Sequence, residues 1–102
     1  MEMDTLSAQQ RTAISNAFSY WLEHWDWEMP TLTGLTLEEF QSAAEVWRCS
    51  TGKVGETCVL AALGAVRECW AQVGKAPELL GLRQQETQGL VMLLAKEVGN
   101  AV

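Results

Sequence analysis

Residues 14–25 read ISNAFSYWLEHW. Ile14, Ala17, Phe18, Trp21, Leu22 and Trp25 recur at the i, i+3, i+4, i+7 spacing of an amphipathic helix. At about 100° per residue they fall within one arc of roughly 140°. Asp4, Thr5 and Ser7 are candidate N-caps. The spacing predicts a helix from near Ser7 to about Asp26. Pro30 disfavours helical backbone at Met29 and is expected to end it, with the loop TLTG following.

The rest of the chain repeats this pattern with different signals. Thr36 followed by Glu39 is a capping box, and Leu35 with Phe40 can form its hydrophobic staple. Leu37, Phe40, Ala44 and Trp47 then line a second predicted helix, ending near Cys49. A loop, STGKVGET, separates it from a third predicted helix over about 54–73. Ser50 or Thr51 is expected to cap this third helix, and Gly74 is a natural C-terminal stop. The third helix has the core stripe Val59, Ala62, Leu63, Val66, Cys69, Trp70 and Val73. Its other side is small: Thr57, Ala61, Gly64, Ala65 and Ala71. Small side chains let another backbone come close, so this helix is either central to the bundle or packed on a second copy. The self-association face would be Ala61, Gly64, Ala65 and Glu68. KAPELLGL reads as a turn or short helix with Pro77 near its start. Leu90, Val91, Leu94, Ala95 and Val98 mark a last helix over about 83–98, with Gly99 as its stop. The expected fold is all-α, a single domain over residues 1–102 built as a small bundle of four main helices with short loops.

Charge narrows the function. The net charge is −6. All of the excess lies in residues 1–50, which hold eight carboxylates against Arg11 and Arg48. Binding to nucleic-acid phosphates needs clustered Lys and Arg, so direct contact with DNA or RNA is not expected. A basic protein partner fits the charge. The N-terminal residues lack a basic segment followed by an apolar run, and the longest mostly apolar stretch, residues 58–66, is too short for a bilayer. Cys49, Cys58 and Cys69 are odd in number and show no CxxC pair. Three reduced and mostly buried thiols, no membrane contact and a cytoplasmic location are therefore expected.

No catalytic or metal motif stands out. STGKVGET lacks the upstream Gly of a phosphate loop, and Val54 follows Lys53 where Ser or Thr is needed. His24 is the sole histidine. A Cys–His pair has no local support, and a metal site built on His24, Glu28 and a distant Cys has no recognised spacing. Glu38 and Glu39 fit capping and solvation. No enzyme activity, metal or cofactor is expected, and His24 is expected to pair with Glu28 at i+4.

Tyr20, His24 and Trp27 form a second stripe beside the core arc of the first predicted helix. Either another segment folds over them, or they form an exposed aromatic patch rimmed by Glu23, Asp26 and Glu28. A helix that frays after Asp26 takes Trp27 off this stripe. Tyr and Trp dominate binding hot spots because they bury much area at small entropy cost. A carboxylate rim steers basic partners. The preferred expectation is a small binding protein of the inhibitor, immunity or antagonist type that occludes a partner through this patch. The alternative is a homodimer or a subunit of a larger assembly, packed through the small-residue face of the third helix.

Overall fold

The structure, a computed structural model, describes residues 1–49, 52–72 and 76–100. Its helices are α1 (Ala8–Glu23), α2 (Met29–Thr33), α3 (Leu37–Cys49), α4 (Glu56–Gln72), α5 (Ala76–Leu80) and α6 (Gln84–Asn100), preceded by a 3-10 turn at Met3–Thr5. The four long ones, α1, α3, α4 and α6, make the expected all-α bundle.

Reciprocal caps start the first two long helices. Ser7 Oγ accepts from the Gln10 amide at 3.1 Å while Gln10 Oε1 accepts from the Ser7 amide at 2.9 Å. Thr36 and Glu39 form the predicted box at α3, at 3.2 and 3.0 Å. Both staple residues, Leu35 and Phe40, are buried. Each box satisfies amides that the first helical turn leaves unbonded.

Pro30 starts a helix rather than only ending one. Its fixed φ and missing N–H suit a first turn, so residues 31–33, expected as part of the loop TLTG, belong to α2. Gly34, at φ 74°, closes α2 by donating its N–H to Pro30 O at 2.8 Å. The same plan recurs at α5, where Pro77 opens the turn and Gly81, at φ 72°, donates to Pro77 O at 2.9 Å. A buried leucine follows each glycine, Leu35 and Leu82. Only glycine adopts this left-handed backbone cheaply, so the chain can reverse at once and return an apolar side chain to the core. Gly99, by contrast, lies inside α6, where its φ is not positive. A single exposed glycine costs a helix about 1 kcal/mol, too little to end one without the left-handed turn.

Helix α4 is the centre, packed by α1, α2, α3 and α6. Its apolar stripe is buried from Val59 to Cys69, and so is the middle of its small side, while Thr57 and Ala71 at the two ends are exposed. Ala61, Ala62 and Ala65 are fully buried, Gly64 is buried, and Glu68 is nearly so. The self-association face expected at Ala61, Gly64, Ala65 and Glu68 is therefore covered by the chain's own helices. Small side chains there admit neighbouring helices of the same molecule. Two indoles cross this interface: Trp21 Nε1 donates to Ala65 O at 2.9 Å, and Trp47 Nε1 donates to Cys58 O at 2.7 Å.

Other expectations shift in detail. In α3 the buried positions are Phe40, Ala43 and Trp47, with Leu37 at the surface and Ala44 half-buried. Leu22 and Ala95 are also exposed. Ser50, Thr51, Val73 and Gly74 lie outside the described residues. One tie has no periodic signal in sequence. The N-terminal segment lies antiparallel to residues 52–54: Met3 N–H donates to Gly52 O at 2.8 Å, Val54 N–H to Met1 O at 2.7 Å, and Glu2 bridges Lys53.

Candidate functional site

The segment from Tyr20 to Met29 is where the bundle presents aromatic side chains to solvent. Helix α1 stops at Glu23, and His24 is its C-cap. The His24 N–H donates to Tyr20 O at 3.0 Å, and Nδ1 lies 2.9 Å from the same oxygen. A carbonyl oxygen only accepts, so Nδ1 carries a hydrogen in this contact. The imidazole also stacks on Tyr20, with centroids 4.3 Å apart and planes at 15°. Tyr20 in turn meets Trp21 edge-on at 4.8 Å. The exposed His24 is thus coupled through half-buried Tyr20 to the buried Trp21. The expected pairing of His24 with Glu28 is replaced by this bond back to the helix end, because the helix needed for an i, i+4 contact is no longer there.

Beyond His24 the chain is held at two points. Trp25, half-buried, packs on Phe40 with centroids 5.0 Å apart. Met29 is fully buried. Between these anchors Asp26, Trp27 and Glu28 form an exposed turn. Asp26 Oδ1 accepts from the Glu28 amide at 2.9 Å, and Asp26 O accepts from the Met29 amide at 3.2 Å. Trp27 stands at the tip with 85% of its surface exposed. Among the described residues it makes no ring contact.

The predicted patch therefore divides. Tyr20 and His24 come together as a stack, while Trp27 leaves their stripe because α1 ends early. Glu23, Asp26 and Glu28 are all exposed along this segment. None of the three joins an ion pair among the described residues. Their negative charge is left to the solvent-facing side of the turn. The local signals for this were Pro30 and the crowding of Asp26 and Glu28 around Trp27, which do not favour a continuing helix.

The chemistry at the remaining candidates is quiet. Cys69 is buried, and burial pushes its thiol up to about 11. Desolvation also raises Cys58. Cys49 is exposed rather than buried, with Sγ 3.9 Å from Glu45 Oε2. No thiol is hydrogen-bonded to His24 among the described residues. Nor do three His, Cys, Asp or Glu side chains gather there as metal ligands would. Among the described residues no helix is long and apolar enough to cross a membrane.

The thiols make a simple test of the packing. With iodoacetamide at pH 8, Cys49 is expected to react first and Cys58 more slowly, with Cys69 reacting only on unfolding. The folded state keeps Cys69 neutral past its ordinary value near 9, so stability should fall as pH rises from about 9 towards about 11. Peptide mapping that found Cys69 labelled as fast as Cys49 would contradict this packing.

Set against known protein families, curated proteins and solved structures, the chain matches none.

Proposed function

We propose that this chain is a binding protein with no catalytic role, which engages a basic surface on another protein through the turn at Asp26, Trp27 and Glu28. The observation that carries the reading is Trp27, a large indole held out at 85% exposure on a turn anchored at both ends. An indole buries roughly 150–250 Å² when covered, so leaving it in water is costly unless a partner covers it. Glu23, Asp26 and Glu28 supply the charge that would steer a cationic surface towards it, and the Tyr20–His24 stack supplies a flat second contact on the same segment. Occlusion of the partner, as an inhibitor or antagonist acts, suits a small rigid module of this kind. Three free thiols fit a reducing compartment such as the cytoplasm.

The test is capture from a native lysate, with the retained protein then purified and its affinity measured. Trp27→Ala is expected to weaken binding by at least about 30-fold, roughly 2 kcal/mol. Its thermal midpoint should stay within about 3 °C of wild type, as for other exposed substitutions. Replacing Glu23, Asp26 and Glu28 by Gln should slow association and flatten its salt dependence. Equal affinity for wild type and Trp27→Ala would sink the proposal.

A further inference from the structure

Of the five tryptophans, two donate their indole N–H across the bundle and one is exposed on the turn. Trp70 is different. Its Nε1 is buried yet has no hydrogen-bond partner among the described residues. The other buried side-chain polar atom in this condition is Thr87 Oγ1, on a residue only 1% exposed. An indole N–H can only donate, and burying such groups unpaired costs free energy that native proteins rarely leave uncompensated.

Both residues line one groove between α4 and α6, with a volume of about 350 Å³. Thr87 sits in register with Leu90 and Leu94, both fully buried, so a hydroxyl occupies a position where the α6 stripe otherwise has leucine. Val91 and Met92 give the groove an apolar wall, and Met92 is 72% exposed. Arg67 stands at the rim, bonded to Glu68 Oε2 at 3.3 Å. Among the described residues no carboxylate lines this groove, in a chain of net charge −6. The walls thus offer one cation, the amides of Gln84 and Gln88 and an apolar surface, with the two unpartnered donors of Trp70 and Thr87 closed off just behind them, at about the lower size limit of small-molecule sites.

We infer that this groove binds a small amphiphilic acid. Its apolar tail lies along Trp70, Val91 and Met92, and its carboxylate accepts from Trp70 Nε1 and Thr87 Oγ1 with Arg67 nearby. The flexible Met92 side chain swings aside to admit it. The site shares no residue with the Trp27 turn, so the two proposals stand or fall separately.

Octanoate is a suitable probe, followed on the five indole N–H resonances of the 15N-labelled protein, with the Trp70 signal assigned through Trp70→Phe. The Trp70 signal is expected to move and saturate with a dissociation constant below about 1 mM, while the Trp27 signal stays put. Thr87→Val keeps the shape and removes the hydroxyl. It should fold at least as stably and bind octanoate about tenfold more weakly. Arg67→Gln, at an exposed position, should weaken octanoate but not 1-octanol, which itself should bind less tightly than the acid. A stationary Trp70 signal, movement of all five indoles together, or equal binding of octanol and octanoate would each overturn the assignment.

Discussion

Ala65→Arg is expected to remove most of the stability of the fold. Ala65 has no exposed surface, and its carbonyl accepts the Trp21 indole N–H at 2.9 Å. Arginine there would place a long charged side chain between α1 and α4, in a fully buried part of the bundle. Overpacking alone costs about 1–3 kcal/mol, and an unpaired buried charge costs several more. A loss of at least about 4 kcal/mol is expected, against the roughly 5–15 kcal/mol that holds an ordinary domain together. Far-ultraviolet circular dichroism in a urea series would read it directly. A variant that kept its helices and its unfolding midpoint, but changed from dimer to monomer, would show instead that this face meets a second copy.

Phe40→Ala should have the next largest effect, and it should reach the candidate site. Phe40 is fully buried and meets Phe18 at 4.9 Å and Trp25 at 5.0 Å. Removing the ring leaves a cavity in a core of this kind at a cost of about 3–5 kcal/mol. Trp25 loses the surface that pins the near side of the Trp27 turn. Stability and partner affinity should therefore fall together, whereas Trp27→Ala should lower affinity alone. Phe40→Leu, which retains much of the volume, should cost far less. Amide exchange at residues 25–29 distinguishes the two effects: it should quicken in Phe40→Ala even where the far end of α6 remains protected. Unchanged exchange there would mean that Trp25 is held by something other than Phe40.

Much of this architecture is legible in the sequence where local signals and core periodicity agree. Thr36 and Glu39 mark the start of α3 because the cap and the apolar stripe begin together. Ser7 and Gln10 carry the same kind of signal, though Asp4 and Thr5 compete with Ser7 as caps. The misses share a cause. Pro30 and Gly99 each admit two local structures, and neighbours outside their own segment choose between them. The small side of α4 reads equally well as an inner face or a dimer face, since only the arrangement of α1, α2, α3 and α6 around it decides. The pairing of Met1 and Met3 with residues 52–54 is long-range and leaves no periodic trace. At the site, the residues Tyr20, His24 and Trp27 are visible as an aromatic surplus, but their division is not. It follows from where α1 stops, and element ends are set by a balance of small terms. Trp70 and Thr87 read as a core residue and an unremarked helix position. Their missing partners become visible only once α4 and α6 are packed.

The clamped turn at Asp26, Trp27 and Glu28 also bears on the timing of an encounter. Trp25 and Met29 fix both ends, and the Asp26 carboxylate ties the middle. A partner that lands on Trp27 has little loop freedom to freeze, so the penalty for ordering this segment is already met within the folded chain. Arrival would then be governed by diffusion and by the ionic strength around Glu23, Asp26 and Glu28. Departure would be governed by the indole. The two halves of the contact could thus be tuned apart, with changes at Glu23 and Glu28, whose carboxylates do not tie the turn, altering how often complexes form and changes at residue 27 altering how long each one lasts.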